Sequence, residues 1–127
     1  MLGLNRVTLM GEVVEKPELR YTPEGSAVAV FTIAVSRTCV PVNSRAHKEV
    51  DWFNVVAWRE LAEFCADDLD VGTYIYLEGR LRNHVWRDAL GRQMARTEII
   101  AERAAVLGRD ASPGADGRYE YEYHWRD

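Results

Sequence analysis

Residues Tyr74 to Trp86, YIYLEGRLRNHVW, carry side chains suited to holding a charged, ring-bearing ligand. The even positions are Tyr74, Tyr76, Glu78, Arg80, Arg82, His84 and Trp86; the odd ones are Ile75, Leu77, Gly79, Leu81, Asn83 and Val85. This alternation predicts a strand with one face on a core and the other facing out. An ordinary outward face would carry Thr, Lys, Glu and Ser. Here aromatic rings stand at both ends, with two arginines and a histidine between them. Rings stack on bases and guanidinium groups pair with phosphates, so the stretch fits a strand that binds nucleic acid. A long edge strand or an oligomer face would show the same pattern.

A second aromatic set lies in Asp51 to Trp58, DWFNVVAW. Trp52, Asn54, Val56 and Trp58 share one parity, and Phe53, Val55 and Ala57 the other. The two tryptophans stand about 20 Å apart at ~3.3 Å per residue. They could be stacking platforms or core rings, since large rings are usually buried. Asn54 between them makes the face mixed, which favours a use in contact with solvent.

The elements that must position these residues can be read in order. Asn5 to Val14 predicts a first strand, with Gly11 marking a bend or bulge and Pro17 ending it before a short extended piece, Glu18 to Tyr21. Thr22-Pro23-Glu24-Gly25 is a tight turn. Ala27 to Ser36 is apolar on both parities and predicts a strand buried, or nearly buried, on both faces. Arg37 to Val50 reads as a long polar loop holding Arg37, Arg45, His47 and Lys48, either solvated or in contact with a ligand. Arg59 to Leu69 is the one amphipathic helix, with Leu61, Phe64, Cys65 and Leu69 on its apolar stripe and Gly72 as its stop. Asp88 to Gly91 is a loop, and Arg92 to Leu107 returns as the last strand. Gly108 to Asp127 has no core pattern and reads as a short mobile tail after a domain spanning 1–107. Three strands, one helix and two strands form the order of an all-β protein with one helix, the OB-fold: a five-stranded Greek-key barrel with the helix between strands 3 and 4.

A chain of 127 residues, 47% apolar, is long enough for one domain with its own core. The formal net charge of −4 argues against a uniformly basic nucleic-acid binder. The charge is segregated, however. Arg80 to Arg96 holds five arginines against Asp88, a local +4, while Arg59 to Asp70 holds one arginine against five acids, a local −4. Local potential is what steers a polyanion, which makes Arg80, Arg82, Arg92 and Arg96 candidate contacts alongside Arg37. The two cysteines, Cys39 and Cys65, form no metal-binding spacing, and no metal or other cofactor is expected. A Cys39–Cys65 disulfide, or a Cys39 bridge between subunits, stays open. No secretory signal or membrane-length apolar run is present, which points to a reducing cytoplasm and no membrane partner. The acids cluster on the helix, so no paired carboxylates suggest a metal-dependent nuclease; no catalytic residue is expected and the chain is not read as an enzyme.

In several stretches the chain resembles the bacterial single-stranded DNA-binding protein family, as a short-tailed member. These are Asn5-Arg6-Val7 through Gly11, Pro17-Glu18-Leu19-Arg20-Tyr21, Asp51-Trp52-Phe53-Asn54-Val55-Val56, Leu61-Ala62-Glu63, Tyr76-Leu77-Glu78-Gly79-Arg80-Leu81 with Trp86, and Gly91 with Thr97-Glu98. The resemblance runs from about residue 4 to 107. It implies an OB barrel, usually a homotetramer, with a dimer as the smaller alternative. It further implies sequence-independent coating and protection of single-stranded DNA in replication, repair and recombination, in a cytoplasmic, nucleoid-associated setting. The family's stacking rings correspond to Trp52, Trp58 and Trp86, and its basic groove to Arg6 and Arg82; His84 stands where a basic residue is common. Cys39 takes the place of a further stacking tryptophan, and Asn54 and Glu60 stand at positions often basic. The glycine- and proline-rich linker with an acidic, Phe-terminated tip that recruits replication and repair proteins has no counterpart here, so recruitment by that route is not expected. Phe53 and Tyr76 are candidate subunit contacts or ordinary core and surface residues. The alternatives are an OB-fold protein-interaction module, and a specialised paralogue in recombination or DNA uptake.

Overall fold

A computed structural model describes residues 2–39, 47–109 and 124–126. The expected loop residue Arg45 and the tail residues 110–123 lie outside the described residues, as do the side chains of Cys39, His47 and Lys48. Five long strands and one helix make the barrel: β1 Val7–Tyr21, β2 Ala27–Cys39, β3 His47–Trp58, α1 Arg59–Asp68, β4 Thr73–Arg87 and β5 Gln93–Arg109. The order across the sheet is β3-β2-β1-β4-β5, and a parallel pairing of Val55 and Val56 with Ile99 and Ile100 joins β3 to β5 and closes the barrel. Closure leaves these strands no free edge at that seam. The OB-fold expected from the order of elements is the fold observed.

The core follows from alternation. Val13, Phe31, Ile33, Val55, Ile75, Leu77 and Ile99 point inward and are almost wholly buried. Leu61, Ala62, Phe64 and Cys65 of α1, with Leu69 after it, pack against the same cluster. Helix α1 thus lies over the barrel through the stripe read from its sequence, and its acids are left outside. Cys65 is a free, buried thiol; burial first, and the Asp68 charge second, push its pKa up to about 12. That makes it a small core hydrophobe rather than a nucleophile.

Four expectations change. β1 does not end at Pro17 but runs to Tyr21, because register shifts between Val13 and Glu15 and between Glu15 and Glu18 take Pro17, which has no N–H to give, out of the ladder. β2 is not buried on both faces: its odd positions enter the core, but Val30 is 40% exposed. The loop from Arg37 to Val50 is shorter than expected, since β2 and β3 stay paired to Cys39 and His47. β5 continues to Arg109, two residues past the expected domain end, and His124–Arg126 form a short strand, β6, antiparallel to Ala104–Val106. A segment without a core pattern can still pair in this way, because a short strand needs only the backbone edge of β5.

Two glycines shape the barrel by close approach. A methyl group on Gly11 would come 2.6 Å from the Ala34 carbonyl oxygen, and one on Gly79 would collide with the Ile100 carbonyl oxygen. Next to Gly79 the β4–β5 register shifts by one residue, past Glu102. Here β4 and β5 turn from barrel wall into a two-stranded ribbon.

Candidate nucleic-acid interface

Beyond Gly79 the ribbon pairs without interruption to its turn. Arg80 lies opposite Ile100, Arg82 opposite Glu98, His84 opposite Arg96 and Trp86 opposite Met94. Directly opposed residues share a face, so these eight side chains form one surface. The other surface carries Leu81, Asn83 and Val85 opposite Ile99, Thr97 and Ala95. The odd positions were expected in the core along the whole strand. They are there only as far as Gly79; Leu81 is already 43% exposed beside the barrel seam at Ile99, and Val85 is exposed farther out, where the ribbon has left the barrel.

On the first surface the His84 and Trp86 rings stack, with centroids 5.3 Å apart and planes 27° from parallel. Arg82 Nη2 donates to Glu98 Oε1 at 2.9 Å, and Arg96 Nη2 to Glu98 Oε2 at 3.2 Å. Glu98 itself is only 4% exposed. Burial alone would raise its pKa, but the hydrogen bonds and charges of Arg82 and Arg96 together hold the carboxyl below its ordinary value. The group stays charged, and both guanidinium groups are held at the surface.

The parallel seam extends this surface onto β3. Val56 pairs with Ile100, and Trp52, Asn54 and Trp58 have the parity of Val56. Trp52 is 63% exposed, which answers the choice left open for it: it is not a core ring. Trp58 is half-buried where β3 enters α1. Arg6 joins from the other side. The Asn5 side chain donates to the Leu81 carbonyl at 2.7 Å and accepts from the Leu81 N–H at 2.9 Å. Because Val7 pairs with Gly79, that contact continues the register and brings Arg6 beside Arg80.

Eight of the ten predicted residues are therefore on one continuous face: Arg6, Trp52, Trp58, Arg80, Arg82, His84, Trp86 and Arg96. Arg37 is not. It pairs across β3 with Glu49, three residues from the Ala34–Trp52 pair, and so lies on the opposite face, tied to Glu49 and Asp51. Arg92 sits at the ribbon tip, where its Nε donates to Asp88 Oδ2 at 2.7 Å and its N–H to Asp88 Oδ1 at 2.9 Å. Those contacts, the Arg92 N–H first, keep the Asp88 carboxyl below its usual range. Phe53 has the parity of Val55 and Ala57 and packs, half-buried, against the core. Tyr76 does face outward, beside Met10, and donates to Glu78 Oε1 at 2.7 Å; that bond, chiefly, raises the phenol pKa.

Sequence reasoning did not bring Glu98 and Met94 to the site. The signal was available: a turn from Asp88 to Arg92 makes Arg87 pair with Gln93, and counting back sets Glu98 against Arg82 and Met94 against Trp86.

A barrel of this kind with aromatic rings and arginines on one outer face defines an OB-fold of the ligand-binding sort. The model of the Single-strand binding protein family matches residues 4–107, and the chain belongs to that family. It is 37% identical over 124 residues to the single-stranded DNA-binding protein 2 of Listeria innocua, covering 96% of this chain and 77% of that protein. It is 42% identical over 104 residues to the single-stranded DNA-binding protein A of Bacillus subtilis, covering 82% of this chain but 59% of that one. A solved structure, the Plasmodium falciparum SSB complex with ssDNA, has the same fold, with a TM-score of 0.75 at 23% identity, over 84% of this chain and 97% of that chain. Among the described residues, no helix is long and apolar enough to cross a membrane.

Proposed function

We propose that the protein binds single-stranded DNA without regard to sequence, through the face that runs from Trp52 and Trp58 across β5 to Arg80, Arg82, His84 and Trp86. The observation that carries this reading is the exposure of Trp52 and Trp86 on the same surface as the arginines. A tryptophan left open to water beside cations has little to gain from the fold, whereas a base stacked on it contributes about 1–3 kcal/mol regardless of base identity. Arg6, Arg80, Arg82 and Arg96 supply the phosphate contacts, and counterions released from the strand make affinity fall as salt rises. Arg37 and Arg92 contribute less, since one is on the far face and the other is engaged by Asp88. The protein performs no chemistry on the strand. It holds bases unpaired and protected in replication, repair and recombination, which places it in the cytoplasm with the nucleoid.

Family membership supports self-association as a homotetramer, and the outward Tyr76 beside the exposed Met10 offers a surface for it; sedimentation velocity checks this. The experiment for the main reading is tryptophan fluorescence during titration with poly(dT) at low and high salt. Saturable quenching that salt weakens, and that Trp52→Ala or Trp86→Ala reduces, is the expected result. No quenching at low salt overturns the reading and leaves the aromatic face as a protein-docking surface.

A further inference from the structure

Glu98 is an unexpected residue to find on a surface meant for a polyanion. It lies on the same face as Trp86 and Arg80, opposite Arg82 in the ladder, and yet is 4% exposed. Its two carboxylate oxygens are divided between two arginines, Oε1 to Arg82 at 2.9 Å and Oε2 to Arg96 at 3.2 Å. The two guanidinium groups remain partly open to solvent, at 39% and 46% of their side-chain surface. One donor, Arg82 Nε, is buried and has no hydrogen-bond partner. A carboxylate shared in this way does two things. It removes rotational freedom from two long side chains that would otherwise lose it on binding. It also cancels one of their two positive charges.

We propose that Glu98 is a positioning residue for DNA: it sets Arg82 and Arg96 in place before the strand arrives and acts as a built-in counter-charge that moderates how strongly the ribbon holds phosphate. This rests on the reading of the ribbon face as the DNA site. The cluster of Arg82, Arg96 and Glu98 presents one net positive charge rather than two, in a fixed place, so the strand is held by geometry and stacking more than by charge density. A binder that must release its strand gains from that arrangement, because part of the electrostatic attraction is satisfied internally.

The test is poly(dT) affinity as a function of salt for the wild-type protein and for Glu98→Gln. The glutamine keeps the size and an acceptor but lifts the counter-charge. The salt dependence should steepen by about 0.7 in the slope of log affinity against log salt, the value for one more cation against a single strand. Low-salt binding should tighten roughly threefold, the order of one unit charge acting across a few ångström of water. A variant that folds and binds with the wild-type slope overturns the counter-charge. A second measurement needs no variant: nitrogen-15 spectra of the wild-type arginine side chains. Arg82 and Arg96 guanidinium signals protected from exchange in the free protein, and shifted by a dT oligomer, support pre-positioning. Signals that become protected only with DNA overturn it. If wild-type protein fails to bind poly(dT) at all, the DNA reading fails instead, and the free-protein spectrum still decides whether Glu98 holds the arginines.

Discussion

Thr73–Gly79 and Arg80–Arg87 belong to one strand, share β5 as a partner, and alternate in the same way, but the first half is also paired with β1 and only it covers its odd positions. Ile75 and Leu77 are 0% and 1% exposed, whereas Leu81 and Val85 are 43% and 53% exposed. Alternation states which side a residue is on; it does not state what covers that side. In the barrel half the apolar face has α1 and the opposite wall to meet. In the ribbon half, past Ile99, the described residues leave it largely uncovered, and the residues there must be explained by what they bind or by the ribbon's own twist. The two halves should therefore respond oppositely to substitution: stability should depend on the first, and ligand affinity on the second.

The largest expected effect is on the barrel half. Leu77→Ala should lower the free energy of unfolding by about 2–5 kcal/mol, while Val85→Ala should stay within about 0.5 kcal/mol. Urea unfolding of the two variants side by side checks this. Equal losses would mean that the ribbon is covered in solution, by a second copy or by the tail, and the contrast drawn here would fail. The junction comes next. Gly79→Val places a side chain against the Ile100 carbonyl and should cost about 1–3 kcal/mol. Since the backbone must shift at the turning point, it should also disturb the ribbon. A loss of DNA affinity larger than that of any single ribbon substitution would mark Gly79 as the hinge between the two halves.

In the ribbon half, Trp86→Ala should weaken poly(dT) binding by about 1–3 kcal/mol, or roughly five- to 150-fold, with little change in unfolding. Trp52→Ala should behave alike, because Trp52 is the more exposed ring. If either variant instead unfolds more easily and binds unchanged, the ring is packing and not platform. Arg80→Ala against Arg37→Ala sharpens the same contrast within one residue type. The first should flatten the salt dependence by about 0.7 in log–log slope; the second, on the far face and held by Glu49 and Asp51, should leave it unchanged.

Most of the barrel was legible because its signals are local and redundant. The helix stripe of Leu61, Phe64 and Cys65, the Thr22–Gly25 turn, whose Gly25 N–H donates to the Thr22 carbonyl at 2.8 Å, and the inward residues of β3 and β4 each have a period or a turn chemistry that a sequence displays. That eight of the candidate residues share one face was legible for the same reason: their parity is written along single strands. What was missed depends on pairing between distant segments. Arg37 was grouped by charge without a register, and only its pairing with Glu49 shows that it faces away from Trp52. Glu98 required knowing that β5 returns opposite Arg82, so that a carboxylate in the sequence becomes the partner of two arginines rather than an isolated acid.

The smallest effect concerns the pH at which the ribbon loosens. Glu98 has a folded pKa below that of an ordinary carboxyl, because Arg82 and Arg96 favour its charged form more than burial opposes it. The unfolded chain therefore binds a proton at a higher pH than the folded one does. The stabilisation from Glu98 is complete above the unfolded value, near 4.3 for a glutamate, and is lost as pH falls through the folded value. Glu98→Gln removes this part, so the gap in stability between wild type and variant should shrink as pH drops below about 5. An acid limb should remain in the variant, since Asp70, held by Lys16, and Asp88, held chiefly by the Arg92 N–H, are lowered too. Urea unfolding of both proteins at intervals from pH 6 to pH 3 measures the gap. Two parallel curves would show that the two arginines do not depend on Glu98 for their place, and the ribbon would then be held by its backbone ladder alone.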